Sequence, residues 1–91
     1  MAFTHGMNVE QVSTIGRQLK DRSADVSNLM NRVDALVNDA ANNWHGQDAN
    51  NFRNEWATNY RRAMQQLATE LAQLGQKAVA NAEEQRQVSG R

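Results

Sequence analysis

The chain is predicted to be all-α: an antiparallel helix-turn-helix hairpin, dimerising into a four-helix bundle. Three observations predict it. Apolar residues recur three and four apart over two long stretches, from about Val9 to Ala40 and from about Ala49 to Ala78. The stretch between them, Asn42-Asn43-Trp44-His45-Gly46-Gln47-Asp48, breaks both patterns with residues that suit a turn. No Pro occurs anywhere in the 91 residues, so nothing forces a break inside either helix.

The first helix is expected over about 8–41. Asn8 suits an N-cap, and Glu10 and Gln11 suit the turn that follows it. Gly6 discourages an earlier start, which leaves residues 1–7 as a flexible lead-in. One seam runs through Val12, Ile15, Leu19, Arg22, Val26, Leu29, Val33, Leu36 and Ala40, with Arg22 its one charged member. Beside it, Val9, Gly16, Ser23, Met30, Val37 and Trp44 recur every seven residues. Together the rows form an arc wider than a two-stranded coiled coil needs. That width fits a helix with two neighbours, one within the chain and one beyond it.

The turn is expected at 42–47. Asn and Gly tolerate left-handed backbone angles, and Asp48 can accept from the free N–H groups that open a helix. A turn by itself has nothing dry in which to bury an indole, so Trp44 either plugs the end of the helix pair or presents itself to a partner. The second helix, over about 48–86, carries Ala49, Phe52, Trp56, Tyr60, Ala63, Met64, Leu67, Leu71, Leu74 and Ala78. Every aromatic except Phe3 lies between Trp44 and Tyr60, which puts the bulky contacts at the turn end. Beyond Ala78 the pattern decays, so fraying is expected there, and Ser89-Gly90-Arg91 reads as a tail. Gly16 and Gly75 fall at about the same level of a folded hairpin. They mark either a close approach, a bend where the far ends part, or a tolerated defect.

Each rod should measure roughly 45–55 Å at 1.5 Å per residue. Two rods bury one side of each and leave a strip of Val, Leu and Met in water, and such strips mark interfaces. A second hairpin covers the strip. The residues expected at the hairpin and dimer interfaces are Val12, Ile15, Leu19, Val26, Leu29, Met30, Val33, Leu36 and Val37 on the first helix. On the second they are Tyr60, Met64, Leu67, Leu71 and Leu74.

Composition excludes several classes of function. Ten basic and ten acidic residues cancel, which argues against nucleic acid or an anionic membrane surface as the main partner. The absence of Cys removes disulfides and thiolate metal sites. No segment is apolar for long enough to insert in a membrane, and the start lacks the basic head and apolar run of a signal peptide. The chain is therefore expected to be cytosolic, or exported by a route that needs no cleavable signal.

Catalytic groups are sparse. The two His are His5 in the lead-in and His45 in the turn, and no Ser stands in a nucleophile-elbow context. Glu83 and Glu84 are adjacent on a helix and point to different faces. His45 and Asp48 offer two ligands in a turn, which make a weak metal site, and turn solvation and capping account for both. A non-enzyme with no cofactor and no metal is expected. Among the charges, Arg17/Asp21 and Arg22/Asp25 are spaced as helix-surface pairs, and Arg61-Arg62 reads as a solvated face. Arg22, lying in the seam, is expected to pair with an acidic group on the second helix or on a partner, or to snorkel to the edge.

Trp44-x-Gly46, midway along the chain between two amphipathic helices, is followed by Ala49, Phe52 and Trp56 in the spacing W-x-G-x-x-A-x-x-F-x-x-x-W. This resembles the WXG family of small ESAT-like proteins exported by bacterial type VII secretion systems. The resemblance covers essentially the whole chain. It implies an antiparallel dimer with itself or with a related partner, and export in the folded state from a cytoplasmic pool after recognition by a membrane-bound secretion ATPase. It also implies a composite recognition surface, made by the Trp-x-Gly turn of one subunit and a short C-terminal signal of its partner. Trp44 and Gly46 would be the turn determinants, with Phe52 and Trp56 packing beneath them. The family's signal is often a Tyr followed four residues later by an acid, and here the chain departs from it. The one Tyr, Tyr60, comes too early and is followed by Met64. Val79 with Glu83, and Ala80 with Glu84, keep the spacing without the aromatic. Either Val79 and Glu83 form a degenerate signal, or a partner supplies one, or Glu83 is only a solvated helix-end acid. The alternative to export is an intracellular structural hairpin within a larger assembly.

Overall fold

Asn8 opens the first helix: its Oδ1 accepts the Gln11 backbone N–H at 3.1 Å, satisfying a donor that has no partner within the helix. In the computed structural model α1 runs Val9–Asn42. The returning arm consists of α2 (Gln47–Glu55), a π-helical turn (Trp56–Tyr60) and α3 (Arg61–Ser89). The structure describes residues 7–89. His5 and most of the expected lead-in, and the last two residues of the expected tail, lie outside the described residues. The two arms make a rod of 67 × 16 × 15 Å.

Mostly small residues form the seam between the arms, with Met30 and Val37 the larger members. Ser13, Gly16, Met30, Val37 and Ala41 are buried on α1, facing Ala49, Ala68, Gly75 and Ala82 of the returning arm. Without bulk between them the backbones come close. A Cβ added to Gly16 would lie 2.7 Å from the Gly75 carbonyl oxygen, and one added to Gly75 would lie 2.5 Å from that of Gly16. The Ser23 hydroxyl donates across the seam to the Ala68 carbonyl. The glycine pair is thus a close approach and not a bend, and the far ends stay together. Ala82 is 1% exposed, and the Arg86 guanidinium meets Glu10 at 2.7 Å. These contacts hold α3 helical through the segment expected to fray.

The row expected to be the main seam is not the one buried within the chain. The row at intervals of seven, with Gly16, Met30 and Val37 buried, lies between the arms. Val12, Leu19, Val26 and Val33 beside it are half-buried. Ile15, Leu29 and Leu36 face outward, Leu36 at 68% exposure. The returning arm repeats this order: Met64 and Leu71 are half-buried, whereas Tyr60, Leu67 and Leu74 are exposed.

Ile15 and Leu74 each immediately precede a seam glycine, and equal rotations from the seam of an antiparallel pair fall on the same face. One face of the rod therefore carries the large apolar side chains. The opposite face carries polar cross-links from Lys20 to Gln76, from Asp34 to Arg61 and from Glu10 to Arg86.

One charge expectation is corrected and another is met. Arg17 bonds the Ser13 and Thr14 hydroxyls one turn back and not Asp21. Arg22 makes the expected pair with Asp25 of its own helix, at 2.7 Å, and not one with an acid on the second helix.

The glycine crossing reverses an ordinary substitution effect. Gly→Ala inside a helix usually gains about 1 kcal/mol. Here the added carbon meets backbone that has no rotamer to yield, and such overpacking costs about 1–3 kcal/mol. Gly16→Ala and Gly75→Ala should each destabilise the hairpin, by up to about 2 kcal/mol net, in urea titrations followed by circular dichroism.

Candidate functional site: the aromatic turn end

The turn is built by backbone geometry that its sequence permits. The Asn43 N–H donates to the Asp39 and Ala40 carbonyls and the Trp44 N–H to that of Ala41, tying off the end of α1. The chain then reverses through Gly46 at φ 107°, a conformation that L side chains rarely adopt. Gly46 occupies the N-cap position of α2, with its carbonyl accepting the Ala49 N–H at 3.2 Å. Asp48, expected to open the second helix, instead lies inside its first turn, where a carboxylate complements the positive end of the helix dipole.

The structure separates the aromatic residues into two groups with Phe52 between them. Trp44 packs against Phe52 with ring centroids 5.4 Å apart and planes tilted by 50°, and it remains 43% exposed at the tip of the rod. The indole thus closes the hairpin end with one face and offers its remaining surface outward. Trp56 does not pack beneath the turn. It turns to α1, where its Nε1–H donates to Asp34 Oδ1 at 2.7 Å. Arg61 Nε completes the clamp, donating to both Asp34 oxygens at 3.1 and 3.0 Å. The Trp56 hydrogen bond, then that of Arg61, hold the Asp34 carboxyl below its ordinary pKa against partial desolvation.

The π-helical turn makes this arrangement possible. The Arg61 N–H reaches back to the Trp56 carbonyl, one residue further than in an α-helix. Phe52, Trp56 and Tyr60 are four apart, a spacing that advances about 40° per step on an α-helix. The wider turn shifts the step between Trp56 and Tyr60 in the opposite sense, and both rings line the same side of the rod. Between Val33, Val37, Phe52, Glu55, Trp56 and Tyr60 lies a half-open slot of about 300 Å³ on the apolar side of the rod. The Tyr60 hydroxyl donates to Glu55 at its edge, at 3.4 Å.

Asp34, Arg61 and Glu55 carry no motif of their own in the sequence, where Arg61 reads as part of a solvated face. The available signal was the uninterrupted run of four-residue steps from Phe52 through Trp56 and Tyr60 to Met64, a phase shift that a regular helix cannot absorb. At the other end of the rod, Val79 packs against Gly16 and Glu83 lies 3.8 Å from Arg86. Among the described residues no three His, Cys, Asp or Glu gather as a metal site, and no helix is long and apolar enough to cross a membrane.

The fold and turn define a class of protein: a two-helix hairpin with Trp-x-Gly at its bend. The model of the WXG100 family, proteins of 100 residues with WXG, matches residues 6–88, and the chain belongs to that family. No curated protein and no solved structure matches it.

A group with a depressed folded pKa stabilises the fold above its unfolded pKa and loses that contribution as pH falls through the folded value. Wild type should therefore melt above Asp34→Asn at neutral pH, with the gap closing as pH falls below the ordinary carboxylate range in thermal melts. Gly46→Ala has room for its methyl group but not the backbone angle, and should cost about 1 kcal/mol in the same assay.

Proposed function

We propose that this chain is a small hairpin protein exported through a type VII (ESX-like) secretion system, acting by protein contacts as secreted substrate, co-substrate or adaptor, and not by catalysis. Membership of the WXG100 family supports the reading, and one observation carries it. The Trp44 ring is anchored on one side by Phe52 and open on the other, at the tip of the rod where a large partner can reach it. Gly46 gives the bend its shape and Trp44 its recognisable surface. The partner in export is the secretion ATPase, met from a cytoplasmic pool before release.

The hairpin travels as a dimer with itself or with a related WXG-type protein, through the apolar face. Covering the half-exposed Ile15, Leu29, Leu36, Leu67 and Leu74 contributes about 1 kcal/mol each, and four helices around one core form the familiar bundle. Val79 and Glu83 serve as a degenerate C-terminal export signal only in part, since Val79 is already engaged with Gly16.

Trp44→Ala tests the reading. Its loss removes exposed surface and one ring contact, so helicity and dimerisation should survive. Appearance in the culture medium should fall to the level of a strain without a working secretion ATPase. The measurement is a comparison of cell and medium fractions in both strains. A variant that unfolds and is degraded would return Trp44 to the core and favour an intracellular structural hairpin.

A further inference from the structure

We propose that the slot beside Trp56 is a recognition site for one arginine side chain, carried on a peptide segment of another protein. The proposal is independent of export and of pairing. Ile15, Leu29, Leu36, Leu67 and Leu74, the residues of the proposed pairing face, do not line the slot.

Two kinds of surface meet in this recess of about 300 Å³. From α1 come Val33 and Val37, and from the returning arm Phe52, Trp56 and Tyr60. Glu55 is the one charged residue that lines it, and its carboxylate accepts from the Tyr60 hydroxyl at 3.4 Å. No cation among the described residues pairs with Glu55. Arg61, which shares Asp34 with Trp56, is already held by that acid. The slot therefore has apolar walls and an uncompensated negative charge at its edge.

The complement of such a recess is a side chain with an apolar stem and a cationic head. A neutral apolar group would fill the walls but take water from the carboxylate without replacing it. A lysine ammonium is a point charge that keeps its hydration. A guanidinium is planar and more weakly hydrated, and it stacks on aromatic rings while donating to a carboxylate. Its methylene stem then lies along Val33 and Val37. Size and openness favour a side chain over a free ligand. Small-molecule pockets of about 300–1,000 Å³ enclose most of their ligand. This slot stands at the bottom of that range and is half-open. One arginine seated there, with the rest of its chain held elsewhere, has the form of an interface hot spot.

Blocked Gly-X-Gly peptides, with X arginine, citrulline, lysine or norleucine, test the proposal on the full chain by NMR. The reporter is the Trp56 indole N–H resonance, distinguished from that of Trp44 with Trp44→Phe. The arginine peptide should shift it saturably, with a Kd on the order of 1 mM. Citrulline, its neutral isostere, and norleucine should bind about ten-fold more weakly, with lysine between them and arginine. Glu55→Gln should cut arginine affinity about ten-fold and leave citrulline unchanged, abolishing the preference. Glu55 is exposed on its helix, so the circular dichroism of this variant should match wild type. Tyr60→Leu keeps apolar bulk without the ring, and should weaken arginine more than norleucine. No saturable shift below about 10 mM, equal binding of arginine and citrulline, or indifference to Glu55→Gln overturns the arginine site. Binding of ethylguanidinium without binding of the blocked arginine peptide overturns the peptide as its source.

Discussion

The contact of Gly16 with Gly75 is the constraint on which the rest of this structure depends. Two helices whose backbones touch cannot hold large side chains between them at that level. The neighbouring levels follow suit with Ser13, Ser23, Ala68 and Ala82. Contact also fixes the register, because sliding either arm by one residue would push a side chain into a carbonyl. A fixed register in turn determines which residues meet elsewhere: Asp34 with Trp56 and Arg61 near the turn, and Glu10 with Arg86 at the open end.

Filling the seam with small residues has an energetic consequence. Apolar burial scales with area, so Ala and Gly contribute little where Leu or Phe would contribute roughly 1.5–3 kcal/mol each. A chain of this length already buries a smaller fraction of its surface than a larger domain does. The large residues that could make up the difference stand on one outer face, and the polar links that define the register stand on the other. The hairpin thus carries its large apolar side chains on one outer face and its polar cross-links on the other.

The fold class was readable because helical periodicity, a Pro-free chain and a turn of Asn and Gly all point one way. Which edge of the apolar arc faces inward was less so. A hydrophobic pattern ranks Leu and Ile above Ser and Gly, so Ile15, Leu29 and Leu36 resemble a core and Gly16 and Ser23 resemble defects. Close packing reverses that ranking, since what matters between touching backbones is the absence of bulk. The persistence of α3 past Ala78 was hidden for the same reason: Ala78 and Ala82 are weak signals among Asn, Glu and Gln, yet Ala82 is the most buried apolar residue described. Asp34 was invisible because an acid on an amphipathic helix is ordinarily solvated. Its partners come from a π-helical turn, and only the stuttered aromatic spacing announced that turn.

That turn also lies where the aromatics divide between the tip and the side of the rod. As built, Trp44 looks along the axis from the tip, Trp56 and Tyr60 look sideways, and Phe52 backs both. The tip and the side of the rod are thus different surfaces of one aromatic cluster, and covering the side would leave the tip indole open. The shared backing of Phe52 ties the two geometries together, because a shift of its ring moves the support of Trp44 and the wall of the slot at once.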